Sequence, residues 1–151
     1  MHANDANDFL KNKIVAVVGR GFLVGKPIAE WLNGKCGKLI VLNSKSNLRD
    51  LQEADLVITG VGKAGLIKPT MLKPGAGVID FGYDVKKIRH EKGEMGKKIF
   101  GDFDSSSLVP NLSPLLSHLS FSFYTPTLGG PDPILVAEIF KNFYKLNSNS
   151  N

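Results

Sequence analysis

A run of mainly β-branched residues, Lys13–Val18, ends directly in Gly19-Arg20-Gly21-Phe22-Leu23-Val24-Gly25, and an apolar helical stripe follows at once. This junction constrains the fold more than anything else in the chain. A short apolar run closed by glycine suits a strand buried on both faces. Pro27 suits the first turn of a helix, and Ile28, Ala29, Trp31 and Leu32 supply its buried stripe before Gly34 and Gly37 stop it. Glycines spaced GxGxxxG between such a strand and such a helix permit a tight turn and a close backbone approach to a pyrophosphate. The free N–H groups and dipole of the helix N-terminus attract the same anion. An ordinary strand-to-helix turn is the plainer alternative, and the placement between strand and helix favours the ligand.

The same alternation continues. Leu39–Leu42 reads as a second strand, Leu48–Glu53 as a short helix, Leu56–Thr59 as a third strand and Ala76–Phe81 as a fourth, preceded by the turn Lys73-Pro74-Gly75. Val85–Ile99 reads as a charged hairpin turning at Lys92-Gly93, and Leu115–Phe123 as a short helix or strand within a stretch rich in serine and proline. Ile134, Leu135, Ile139, Phe140 and Phe143 fall at helical spacing and predict a terminal helix over 132–146. Parallel neighbours need crossover connections, so this order predicts an α/β fold: one Rossmann-type domain over 11–146, its mainly parallel sheet covered by helices on both faces. Residues 1–10 read as a flexible lead-in and 147–151 as a polar tail.

The 151 residues suit one core, and 42% hydrophobic with 22% charged residues is the composition of a globular domain. The net charge of +5 suits a phosphorylated ligand as well as nucleic acid. The lysines are scattered and no aromatic-rich nucleic-acid motif accompanies them, so no nucleic-acid partner is expected. No apolar run reaches the length of a membrane span, and Met1–Asp8 is polar and acidic, so a membrane is not expected either. Cys36 is the single cysteine, which excludes an internal disulfide and suits a reducing, cytoplasmic setting. His2, His90 and His118 have neither metal-ligand nor triad spacing. Asp102 and Asp104 suggest a metal, but two carboxylates in such a turn more often cap or stay solvated.

The end of the second strand bears on the choice of dinucleotide. An NAD site places a carboxylate there, about 20 residues beyond the glycine loop, to bond the ribose 2′-hydroxyl. This chain has Asn43-Ser44-Lys45-Ser46 instead, with a cation and two hydroxyls suited to a 2′-phosphate, so NADP is the expected cofactor. A solvated loop is the alternative. Thr59-Gly60-Val61-Gly62-Lys63 and Asp80-Phe81-Gly82-Tyr83 close the third and fourth strands on the same sheet edge, where glycines let the backbone approach a flat ring.

Val17–Pro27, Asn43–Ser46, Ala54–Ile58, Gly62–Ile67, Leu72–Ala76, Val78–Gly82, Gly101–Asp104 and Thr125–Gly130 together, in this order, resemble the methylenetetrahydrofolate dehydrogenase/cyclohydrolases. The resemblance covers residues 12 to 145. It implies oxidation of 5,10-methylenetetrahydrofolate by hydride transfer to NADP, hydrolysis of the methenyl product to 10-formyltetrahydrofolate, and a homodimer. It implies contacts to cofactor phosphates from Arg20 and Gly21 within the loop Gly19–Gly25, which also contains Val24. Ser44 and Lys45, flanked by Asn43 and Ser46, would meet the 2′-phosphate. Gly60, Val61 and Gly62, with Thr59, Gly82 and Tyr83, would border the ring-bearing parts, and Gly129 and Gly130 would face the folate cleft. The family's catalytic tyrosine and lysine belong to an N-terminal domain, so no catalytic residue is assigned here, and a tetrahydrofolate derivative would be met through that missing domain. Tyr83 and Lys87 share a Tyr-x-x-x-Lys spacing that we read as coincidence.

Three departures stand out. The cleft segment of the family usually reads Pro-Gly-Gly-Val-Gly-Pro-Met-Thr, whereas this chain has Leu128-Gly129-Gly130-Pro131-Asp132-Pro133-Ile134-Leu135, where Asp132 suits a helix cap and Pro133 a first turn. The stretch after Asp104 is longer than usual. Gly21 stands where serine is common, which removes one hydroxyl from the phosphate site. The rival reading is a non-catalytic dinucleotide sensor or partner-binding module.

Overall fold

The computed structural model describes residues 8–89, 95–108, 122–127 and 130–148. Five strands, β1 (Ile14–Val18), β2 (Lys38–Leu42), β3 (Leu56–Thr59), β4 (Gly77–Asp80) and β7 (Phe123–Tyr124), form one sheet in the order β2-β1-β3-β4-β7. Every neighbouring pair in it is parallel. Two further strands, β5 (Asp84–Arg89) and β6 (Met95–Phe100), form a separate antiparallel hairpin. The α/β Rossmann-type architecture expected from the alternation is therefore present as a single domain.

Period-two alternation in β1 divides the core. Val15 and Val17 point to one face, where Leu10, Leu32, Leu56 and Ile58 are buried and where helix α1 (Gly25–Leu32) packs through Ile28, Ala29 and Leu32. Ala16 and Val18 point to the other, joining Leu51, Ala54, Val57, Ile67, Val78 and Phe103. That second face is closed largely by 3-10 turns, Leu48–Glu53 and Pro69–Met71, in place of a long helix. Trp31, expected within the buried stripe of α1, is half exposed with the Lys35 ammonium 4.0 Å from its ring centroid.

The ends of the sheet are less regular. β7 is two residues long, and the Phe123 ring lies over Gly77, where any Cβ would come within 2.6 Å of it. The terminal helix α2 (Asp132–Ser148) begins with a bond from the Leu135 N–H to the Pro131 carbonyl, which puts Pro133 in its first turn as expected. It extends to Ser148, and Ile134, Leu135, Val136, Ile139 and Phe140 on it are exposed. The predicted turn at Lys92-Gly93, most of the segment 115–123, Gly129, and His2, His90 and His118 lie outside the described residues. No described helix is long and apolar enough to cross a membrane.

Candidate cofactor-binding site

From β1 the chain crosses to β2 on one side, then returns past β1 to β3 on the other. Connections that diverge in this way leave a crevice at the carboxyl ends of the strands, the usual ligand position in such sheets. A cleft of about 500 Å³ opens there, within the range of small-molecule sites. Gly19, Arg20 and Gly21 form one wall, Asn43, Ser44 and Ser46 the second, and Gly60, Val61 and Lys63 the third. Leu48 and Leu66 supply apolar lining continuous with the core. The charged residues lining the cleft, Arg20 and Lys63, are both cations, and neither joins an ion pair among the described residues.

Close backbone contact explains the glycines of the loop. A Cβ on Gly25 would lie 2.0 Å from the Gly19 carbonyl oxygen, so α1 can start against the loop only with glycine at its first position. Gly60 would meet the Val24 side chain at 2.6 Å. Val24 and Gly25 therefore assemble the loops and do not line the cleft. Gly19 has φ of +98°, a conformation that disfavours side chains. Gly21 differs: its nearest neighbour would be the Gly60 oxygen at 3.9 Å, which leaves room for a side chain. No side chain caps the first turn of α1.

The second wall is a self-bonded turn. The Asn43 N–H donates to Ser46 Oγ at 3.0 Å and the Lys45 N–H to Asn43 Oδ1 at 2.8 Å. This arrangement brings Ser44 and Ser46 to the cleft and leaves Lys45 outside its lining.

The third wall is fixed from behind by Asp102, which is fully buried. Its Oδ2 accepts the Thr59 hydroxyl and the Val61 N–H, and its Oδ1 accepts the Lys63 N–H, each at 2.7 Å. These donors point into the protein, so Val61 and Lys63 offer the cleft their side chains and not their N–H groups. A second buried carboxylate, Asp80, accepts the Gly82 N–H at 2.7 Å and the Phe103 N–H at 2.9 Å. Burial pushes the Asp80 carboxyl above its ordinary value, aided by the charge of Asp102 and opposed by these two N–H groups. The two carboxylates knit the ends of β3 and β4 to the segment after β6. Asp104 caps the following 3-10 turn by accepting from the Ser106 N–H and hydroxyl. Among the described residues no three potential metal ligands cluster.

Residues 3–151 match the tetrahydrofolate dehydrogenase/cyclohydrolase NAD(P)-binding domain. The chain belongs to this family. It is 36% identical over 135 residues to bifunctional protein FolD 3 of Ectopseudomonas mendocina, which is 88% of this chain and 39% of that protein. Over 128 residues it is 36% identical to the cytoplasmic C-1-tetrahydrofolate synthase of Drosophila melanogaster, covering 83% of this chain and 12% of the relative. Among solved structures it resembles the methylenetetrahydrofolate dehydrogenase-cyclohydrolase of Trypanosoma brucei, complexed with NADP and inhibitor, at TM-score 0.75 and 26% identity, covering 93% of this chain and 45% of that one. The bifunctional FolD enzyme of Campylobacter jejuni gives TM-score 0.75 and 27% identity, covering 98% and 47%. The chain thus spans about two-fifths of the FolD relative's length.

Within this NAD(P)-binding domain, the cleft brings together Gly19, Arg20, Gly21, Asn43, Ser44, Ser46, Gly60 and Val61 from the sequence-derived set. Thr59 is fully buried, its hydroxyl spent on Asp102. Gly62, with φ of +75°, sits against the Tyr83 carbonyl, and Gly82 packs on Asp102, so these gather beyond the cleft lining. Gly130 approaches the Pro126 carbonyl so closely that a Cβ would lie 2.3 Å from it. Tyr83 precedes β5 and Lys87 lies within it, a strand and not a helix. Sequence reasoning missed Lys63, Leu48 and Leu66 as lining and Asp102 as an anchor. A cation directly after a glycine turn was the available signal for the first of these.

Proposed function

We propose that the cleft holds NADP, and that the chain serves as the cofactor half of a bifunctional methylenetetrahydrofolate dehydrogenase/cyclohydrolase. The observation that carries the cofactor choice is the second wall: two hydroxyls stand where an NAD site places a carboxylate, and both charges lining the cleft are positive. The glycine loop and Arg20 take the pyrophosphate, since backbone can approach it there and the uncapped start of α1 favours an anion. Ser44 and Ser46 donate hydroxyls to the 2′-phosphate. Leu48, Leu66 and Val61 give the adenine an apolar seat. Gly62, Gly82 and Tyr83 border the route toward the nicotinamide, and Gly130 the folate side. Bound NADP supplies the hydride acceptor for 5,10-methylenetetrahydrofolate. The groups that act on the folate lie in the part of the relatives that this chain does not match, and assembly is as a homodimer in the cytoplasm.

Calorimetric titration with NADP and NAD, with a dehydrogenase assay on methylenetetrahydrofolate, tests this reading. Tighter binding of NADP without turnover by the chain alone is expected. Equal or tighter binding of NAD would remove the cofactor assignment, and turnover by these 151 residues would place catalytic groups within them.

A further inference from the structure

A hollow of about 530 Å³ lies apart from the cofactor cleft, between the β5–β6 hairpin and the segment leading into the 3-10 turn Ser105–Leu108, and no residue lines both. The hairpin forms its outer wall. Its register sets Lys86 directly opposite Lys98, and Lys87 opposite Lys97 on the other face. Like charges opposite one another weaken a strand pair, and a two-stranded hairpin has little stability of its own to lose. Splaying into solvent would relieve the repulsion, yet Lys86 and Lys98 converge. Their ammoniums lie 5.9 and 5.3 Å from the centroid of the same ring, Phe100, and all three side chains line the hollow. Lys87 and Lys97 line no part of it.

The nearby carboxylates are committed elsewhere. Asp104 lines the hollow but accepts from the Ser106 N–H and hydroxyl. Asp84 Oδ2 accepts the Ala64 N–H at 3.0 Å and stands 4.0 Å from Lys86 Nζ, beyond hydrogen-bond reach. Lys98 joins no ion pair among the described residues. Ser105 and Thr127 complete the polar lining, and the volume is that of a small-molecule site.

We propose that this hollow is a second binding site, separate from the cofactor cleft, for a small ligand carrying two or more anionic groups, with Lys86 and Lys98 each meeting one of them. An anion seated between the two ammoniums replaces their repulsion by two attractions, so occupancy also steadies the hairpin.

The test is titration of the isotopically labelled full chain with citrate and with tripolyphosphate, at constant ionic strength so that screening does not change. At least one of the two should give saturable amide shifts at Lys86, 98–101 and 104–106, and the one that does so identifies carboxylate or phosphate as the group recognised. Lys86→Gln and Lys98→Gln should each weaken that binding by about tenfold, as loss of one bond to a charged group implies. Both variants remove one of two facing like charges and should melt no lower than the unmodified chain in the absence of anion. Lys87→Gln and Lys97→Gln, on the opposite face, should weaken binding by less than about twofold. Equal loss from either face of the hairpin, or shifts that spread over the lysines without saturating, would show a diffuse charge effect and overturn the proposal. So would no response to either anion, or shifts at Gly19, Arg20 and Gly21 with the hollow silent.

Discussion

Replacing Asp102 should cost more stability than any other single polar change in the sheet-edge loops. The carboxylate is fully buried and accepts three hydrogen bonds at 2.7 Å, from Thr59, Val61 and Lys63. Asp102→Ala leaves all three donors facing a hole beside Gly82, whose position against Asp102 already excludes a Cβ. Each buried donor left unmet costs about 1–3 kcal/mol, so the three together would cost about 3–9 kcal/mol if nothing relaxed. Water entering the vacated space recovers part of this, giving an expected loss of about 3–5 kcal/mol from a typical domain stability of about 5–15 kcal/mol. Asp102→Asn keeps the shape and one acceptor oxygen but turns an amide NH₂ toward a backbone N–H, at an expected cost of about 1–3 kcal/mol. Urea unfolding followed by far-UV circular dichroism measures both, with the slope checked for change. Stability of Asp102→Ala within about 1 kcal/mol of the unmodified chain, less than one unmet donor, would refute the claim that this carboxylate fixes the third wall.

The glycine loop gives an opposed pair of expectations. Gly25→Ala should force the loop away from α1 and cost about 1–3 kcal/mol, with NADP affinity falling in calorimetry. Gly21→Ser should fold normally and bind NADP at least as tightly, because its side chain enters open space and adds a hydroxyl. Asp55 accepts the Ile14 N–H at 2.7 Å and pairs with Lys73, and these partners hold its carboxyl below the usual range. Its stabilisation is therefore complete above the ordinary aspartate value and is lost as pH falls through the lowered one. Asp55→Asn should flatten that acid limb in a series of thermal melts. Asp80 acts with the opposite sign: its raised value means that the folded state holds the proton more tightly, so its contribution declines as pH rises out of the ordinary carboxylate range. Melts of Asp80→Asn over the same series should lack that decline.

What was legible in the sequence follows from what is local. β3 has the expected bounds, Leu56–Thr59, and β1 lies within Lys13–Val18, because a buried parallel strand is written as a continuous apolar run. The glycine loop could be read because a tight turn and its glycines are adjacent in the chain. Asp102 could not: its partners stand 39 to 43 residues earlier, and beside Asp104 it looked like one of two capping or solvated carboxylates. Asp104 does cap, while Asp102 is buried. Lys45 shows the same limit, since its N–H is bonded to the Asn43 side chain in a turn that leaves it outside the cleft lining. The expected short helix or strand over Leu115–Phe123 reaches only the first residue of β7, because two residues carry no period and the place of β7 depends on Gly77 leaving room for Phe123.

In the proposed complex NADP lies across the carboxyl ends of β1, β2 and β3. Titrating NADP into the isotopically labelled chain and following its amide signals tests it most directly. The largest shifts should fall on Gly19–Gly21, Asn43–Ser46 and Gly60–Lys63, with smaller ones at Gly82 and Tyr83. A second hollow of about 530 Å³ lies between the β5–β6 hairpin and the Asp104–Ser106 turn, lined in part by Lys86 and Lys98. Shifts confined to that hollow, or no shifts at saturating NADP, would rule out this placement of NADP.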